Sequence, residues 1–320
     1  MDRIKLIKIF RYVLLTLMVI LLGGITWGSF YMLDYSLNSS YEGKDEKGSY
    51  KYMYENYPYL HQWVDSLNQV SALKDTFIIG NENTKLHAFY IAANRPTKKT
   101  AILVHGYTDN AIRMLMIGHL YNHEMNYNVI LPDLHAHGQS EGDAIQMGWK
   151  DRLDVIKWID VAKGLYGDSI NIVVHGISMG AATTMMVSGE KLPANVKCFV
   201  EDCGYTSVWD EFSQELKKRF DLPEFPLMNS TSLLCKIKYG WTFREASALN
   251  QVSKCHLPMF FIHGNADTYV PTWMVYPLYK AKPAPKEIWI VQGAEHAKSY
   301  KQNPKMYLAK VRAFTNSYIN

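Results

Sequence analysis

The sequence predicts an α/β domain built on a mainly parallel sheet with helices on both faces, and three observations predict it. Eight short apolar runs, "TFIIG", "LHAFYIA", "TAILVHG", "NVILPD", "INIVVHG", "KCFVED", "MFFIHG" and "EIWIVQG", have the length and near-continuous apolar character of strands buried on both sides. Longer amphipathic stretches alternate with the later runs, the arrangement that a parallel sheet requires for its crossovers. The first two runs have no helix between them, which suits an antiparallel start.

The helices follow from spacing. Trp149 to Leu165 carries Leu153, Ile156 and Ile159 on one helical face, with Asp151 and Asp154 near its start, and "PKMYLAKVRAFTNSYI" closes the chain in the same way. Between Asp210 and Asn250 the alternation breaks. "EFSQELKKRF", "LPEFPLMNSTSLLCKIKYG" and "WTFREASAL" read as helical pieces inserted between two strands, a small cap at about 210–250. Such an insertion lies over the carboxyl ends of the strands, where sheets of this type bind ligands.

At 320 residues, 48% of them hydrophobic, the chain can bury a sizeable core, and it shows no repeat or low-complexity tract. The net charge of +4 is small, and no stripe of basic residues interleaves with aromatics, so nucleic acid is not an expected partner.

The N-terminus has a different character. Arg3, Lys5, Lys8 and Arg11 precede an uncharged run from Tyr12 to Leu33, long enough for the roughly 20 residues that cross a bilayer. Trp27, Phe30 and Tyr31 suit an interfacial belt, and no A-x-A pattern marks a cleavage site, so an uncleaved anchor is expected over a cleaved signal peptide. The positive charges place the N-terminus in the cytoplasm and the rest of the chain on the other side, in a periplasm or at a cell surface. The expected organisation is a basic stub and anchor at 1–33, a polar tether at 34–74 ending in a helix near His61 to Leu67, and the α/β domain at 75–320.

Of the four cysteines, Cys198 and Cys203 share a strand, where five residues at ~3.3 Å put them roughly 16 Å apart, too far to bridge. Cys235 with Cys255 is geometrically possible; buried free thiols are the expectation. No C-x-x-C pair points to zinc or to a thioredoxin-like site.

The polar strand ends carry the chemistry. "INIVVHGISMGAATTMM" is strand, G-x-S-x-G, then helix, a context in which Ser178 occupies a sharp turn that lifts its hydroxyl above the sheet, with Gly176 and Gly180 avoiding collision. A serine needs a neighbouring base to take its proton, and the base needs an acid to hold its tautomer. His296, in "WIVQGAEHAKSY", follows the last strand, and Asp267, in "FFIHGNADTYVP", follows the one before it. Asp202, in "CFVEDCGYTS", is the rival acid, but the turn "HGNAD" fits better. An oxyanion would be met by the backbone N–H of Met179 and by that of Tyr107, in the loop after "AILVHG". That loop is also a strand-to-helix turn, with Asp109 or Asn110 as an N-cap.

On "LVHGYTDN", "LPDLHAHGQSEG", "HGISMGA", "HGNADTYVP" and "GAEHAKSY", the chain from about Phe77 to its C-terminus resembles the α/β-hydrolase superfamily, and is similar to membrane-anchored bacterial esterases and prolyl-oligopeptidase-like serine hydrolases. The resemblance implies an α/β-hydrolase fold with an eight-stranded sheet. It implies catalytic roles for Ser178, Asp267 and His296, and oxyanion amides at Tyr107 and Met179. In the family the second piece is a structural loop, usually with arginine where His135 stands. No triad position departs from the pattern.

Other signals weigh less. His135 and His137 near Asp133 lack the further ligands of a hydrolytic zinc site, so no metal and no cofactor is expected. The cap aromatics Trp209, Phe212, Phe220, Phe225, Trp241 and Phe243 fit either an acyl pocket or a satellite core. His119 and His123 are expected on a helix surface. The expected activity is hydrolysis of a small-molecule carboxylic ester or acyl substrate; peptidase, thioesterase and acyltransferase reactions use the same machinery. A non-catalytic envelope binding module is the alternative of another class.

Overall fold

The computed structural model describes residues 3–39 and 41–319. The eight apolar runs form one sheet from β1 (Leu73–Ile79), β2 (Lys85–Ile91), β3 (Lys99–Val104), β4 (Asn128–Pro132), β5 (Asn171–Ile177), β6 (Val196–Asp202), β7 (Met259–Gly264) and β8 (Lys286–Val291). Their spatial order is β1-β2-β4-β3-β5-β6-β7-β8. β1 and β2 pair antiparallel, as do β2 and β4, and every pairing from β4 to β8 is parallel. Chain order reverses its spatial direction around β3, so the ends of β3 and β5 flank the switch point where open sheets take ligands.

The helices begin with α1 (Arg3–Leu37), α2 (Tyr41–Lys44), α3 (Glu46–Asn56) and α4 (Tyr59–Gln69). After them come α5 (Leu115–His119), α6 (Asp151–Tyr166) and α7 (Met179–Ser188). The insertion between β6 and β7 holds α8 (Val208–Phe220), α9 (Leu227–Tyr239) and α10 (Ala248–Val252). The chain then adds α11 (Val275–Ala281), α12 (Ser299–Gln302) and α13 (Pro304–Asn316).

Strand alternation sorts the core into two layers. Ile102, Val104, Val174 and Phe199 face one layer with Trp158 of α6, Met185 of α7 and Leu278 of α11. Ala101, Leu103, Val173 and Val200 face the other with Val64 of α4 and Val311 and Phe314 of α13. Helix α7 is buried at every position, so the turn preceding it is held by core packing on all sides.

The helix expected near His61 to Leu67 is α4, but the stretch before it, expected as a polar tether, is also helical and packed. Asp45 caps α3, its carboxylate accepting from the Gly48 N–H at 2.9 Å. Met53, Tyr57, Leu60, Trp63, Val64 and Leu67 then enter the second core layer. The physical reason is that the tyrosines and scattered charges of this stretch make it look solvated, while its few apolar residues fall on one face. α1 also exceeds the expected anchor. It continues to Leu37, and Leu33 and Leu37 are buried in the first core layer.

Candidate active site

Ser178 sits at the junction of β5 and α7 with φ 58°, ψ −122°, a backbone conformation that L residues rarely adopt and that persists only where the surroundings enforce it. The enforcement is visible on both sides. A Cβ at Gly176 would overlap the Gly180 carbonyl, and one at Gly180 would overlap the Val104 carbonyl at the end of β3. The Ser178 N–H donates to the Asp202 carbonyl at 2.8 Å, tying the turn to β6. The serine stands at the N-cap of α7, but its side chain makes no capping bond, which leaves the hydroxyl for another partner.

That partner is His296, whose Nε2 lies 2.8 Å from Ser178 Oγ. His296 Nδ1 lies 2.7 Å from Asp267 Oδ2. With the ring proton on Nδ1, the imidazole donates to the carboxylate and presents a lone pair to the serine hydroxyl, the tautomer a base requires. Asp267 is buried and fixed by its own turn: Oδ1 accepts from the N–H groups of Tyr269 and Val270 at 2.9 and 3.0 Å. His263 on β7 backs the same carboxylate, with Nε2 3.5 Å from Oδ2 and 2.9 Å from the Val270 carbonyl. Sequence reasoning missed His263, because a histidine at a strand end four residues before Asp267 carries no mark of the pairing that the fold gives it.

Asp202, the rival acid, has a different occupation. Its Oδ1 accepts from the Ser299 hydroxyl at 2.9 Å, which pins the loop that carries His296 to the end of β6. Burial pushes its carboxyl up to about 7. In the unfolded chain this group ionises near 3.9, so between that value and 7 the folded state holds the extra proton and stability falls as pH rises. Asp202→Asn should remove that fall: chemical denaturation of wild type should lose on the order of 2 kcal/mol more than the variant between pH 5 and pH 8. Equal slopes for the two proteins would contradict the assignment.

The loop after β3 lies against Ser178, since a Cβ at Gly106 would stand 3.4 Å from that of the serine. His105 locks it: Nδ1 is 2.8 Å from the Gly106 carbonyl and Nε2 accepts from the Leu134 N–H at 2.9 Å. Burial holds this imidazole below its ordinary pKa, in keeping with a neutral brace. Asn110 is the N-cap of the turn that follows, accepting from the Ile112 N–H at 3.1 Å. Met179 opens α7, so its N–H is one of the amides that a helix start leaves without an intrahelical acceptor. Tyr107 follows Gly106, and its phenol donates to the Ser36 carbonyl of α1 at 3.0 Å.

Ser178, Met179 and Tyr107 border a cavity of about 460 Å³. Small-molecule sites span roughly 300–1,000 Å³, so this one is of ligand size. Of the cap aromatics, Phe212, Phe220 and Phe243 line it, Trp209 and Trp241 are core, and Phe225 is 76% exposed, so the group divides between the two expected uses. Tyr269 packs its ring 4.9 Å from that of His296. Three residues of α1, Met32, Tyr35 and Ser36, complete the wall.

Asp133 and His87 form a buried pair. The Asp133 carboxylate accepts from the N–H groups of Ala111 and Gln139 at 2.7 and 3.0 Å and lies 2.7 Å from His87 Nδ1. His135 and His137 are buried. His119 departs from expectation: it is half-buried beneath Tyr59 and Trp63, with ring centroids 4.7 and 5.2 Å away, because α4 covers the helix. The four cysteines are free and buried. Cys203 approaches Asp267 and His296, but burial, aided by the charges of Asp202 and Asp267, drives its thiol well above the ordinary range.

Comparison with known proteins gives a consistent setting. Residues 121–320 match the prolyl oligopeptidase family. The uncharacterized protein YqkD of Bacillus subtilis (strain 168) is 29% identical over 257 residues, covering 80% of this chain and 83% of that protein. The Pyrococcus furiosus esterase Pf2001 superposes with a TM-score of 0.64 at 26% identity over 79% of this chain and 96% of that one. An acylaminoacyl peptidase of Pyrococcus horikoshii shares the fold, with a TM-score of 0.55 at 17% identity over 77% of this chain and 41% of its own.

Proposed function

We propose that this chain, which belongs to the prolyl oligopeptidase family and has the α/β-hydrolase fold, cleaves carboxylic esters through an acyl-enzyme on Ser178. The chain is a serine hydrolase; the bond it cleaves and the residues that cleave it are the proposal. The observation that carries it is the pair of short contacts from Ser178 through His296 to Asp267, at the rim of a mostly apolar cavity.

In this reading His296 Nε2 takes the proton as Ser178 Oγ attacks the ester carbonyl carbon. The carbonyl oxygen becomes an oxyanion met by the N–H groups of Met179 and Tyr107, donors fixed in place before the reaction. Collapse of the tetrahedral adduct breaks the bond to the alcohol, which leaves with the proton from Nε2. Water then attacks the acyl group, gives its proton to Nε2 and releases the acid, and Ser178 recovers its hydrogen. Asp267 keeps its charge throughout and steadies the imidazolium.

The same proposal keeps α1 as an uncleaved anchor with the hydrolase domain on the non-cytoplasmic side. Leu33 and Leu37 are core residues and Met32, Tyr35 and Ser36 wall the cavity, so removal of α1 would open both. Assays therefore call for the full chain in detergent or in a bilayer.

The ester preference is tested by comparing p-nitrophenyl butyrate with aminoacyl and acyl-aminoacyl amides on the full chain. Ester kcat/KM is expected to exceed amide kcat/KM by at least a hundredfold. The reverse order would make the enzyme a peptidase with the same machinery.

A further inference from the structure

Helix α1 has two surfaces with different surroundings. Every residue from Arg3 to Gly24 is exposed, although the stretch is apolar after Arg11 and fits a membrane span by length and composition. Twenty residues counted from Tyr12, the length that crosses the hydrocarbon core, end at Tyr31. Trp27 and Tyr31 stack there, 5.7 Å apart, the placement of an interfacial belt. The cavity wall begins one residue later, at Met32.

The cap is joined to α1 at the same height. Leu227, at the start of α9, lies 3.2 Å from where a Gly28 Cβ would stand, and the Ser29 hydroxyl donates to that of Ser230 at 2.7 Å. Gly28 is nearer the apolar end of α1 than Met32 is, so the start of α9 is the bilayer side of the cap. Immediately before it, Leu222 and Phe225 are 40% and 76% exposed. Neither lines the cavity, and two large apolar side chains beside a membrane-spanning helix are placed to enter the lipid interface. Met32, Leu216, Phe220, Leu227 and Met228 then carry an apolar lining inward toward Ser178.

We propose that the cavity takes the acyl chain of a single-chain amphiphilic ester from the leaflet that α1 anchors in, with Leu222 and Phe225 seating the cap on that leaflet. The ester carbonyl stops at Ser178 and the alcohol part faces outward; hydrolysis gives the fatty acid and the alcohol. This rests on the hydrolase and anchor readings above. A pocket that held only small soluble esters would need neither a wall made by the anchor nor exposed apolar residues on the membrane side.

The test uses the full chain in phosphatidylcholine nanodiscs, with p-nitrophenyl esters of two to twelve acyl carbons and with 1-lauroylglycerol in the disc. Each buried methylene should raise kcat/KM by about fourfold until the cavity is filled. The double variant Leu222→Asp, Phe225→Asp should hydrolyse the soluble butyrate ester within twofold of wild type and 1-lauroylglycerol at least fivefold more slowly. Met32→Trp should lower the ratio of dodecanoate to butyrate activity at least tenfold. A flat or falling chain-length profile in wild type, with fluorophosphonate labelling intact, would overturn this inference alone. Absence of labelling would overturn it together with the hydrolase reading, and release of the chain by alkaline carbonate would overturn it together with the anchor.

Discussion

Ser178→Ala is expected to lower kcat for ester hydrolysis about a million-fold, the scale seen when a triad nucleophile is removed. His296→Ala should cost nearly as much, and the double variant little more than either alone. That non-additivity is informative. Ser178 and His296 stand 2.8 Å apart and, in the mechanism proposed above, act on one proton, so once either is gone the other has nothing left to do. What survives would come from the oxyanion donors and from binding. Two losses that multiplied would mean that the hydroxyl and the imidazole serve separate steps.

Asp267→Asn is the second large effect, about ten-thousand-fold in kcat, because an amide in place of the carboxylate favours the wrong ring tautomer. The turn should survive the change, since the amide oxygen can still accept from the Tyr269 and Val270 N–H groups. Asp202→Asn should retain at least a tenth of wild-type activity. Its role is to hold the His296 loop through Ser299, and an asparagine oxygen can accept that bond too. Steady-state assays of the two variants side by side separate the acids. If Asp202→Asn lost as much as Asp267→Asn, the base would be oriented by both carboxylates or by the wrong one here.

The three loops of the site were legible because each feature is local. A strand ending in G-x-S-x-G, a strand ending in "HGNAD" and a strand ending in "GAEH" can be found without knowing what lies beside them, and their chain order limits the topologies that bring them together. The supports were not legible for the opposite reason. His105 braces Leu134, Ser299 holds Asp202 and His263 backs Asp267 through pairings set by the sheet order. A histidine in "FFIHG" has no signature that separates a brace from a surface residue. Helix α1 posed a different problem. Leu33 and Leu37 are apolar whether lipid or protein surrounds them, so hydropathy could not tell where an anchor would end and the domain begin. Helix α3 and the packing of α4 were hidden by composition: Tyr57 and Trp63 bury their rings beside charged neighbours that stay in water.

In the proposed mechanism one hydroxyl, activated by one imidazole, is the nucleophile of this protein. The most direct measurement is the mass of the full-length chain after treatment with a fluorophosphonate, followed by mapping of the modified peptide. A single adduct on Ser178 is expected in wild type and in Asp202→Asn, and none in His296→Ala over the same time. An adduct on another residue, or an unmodified Ser178 in a folded sample, would contradict it.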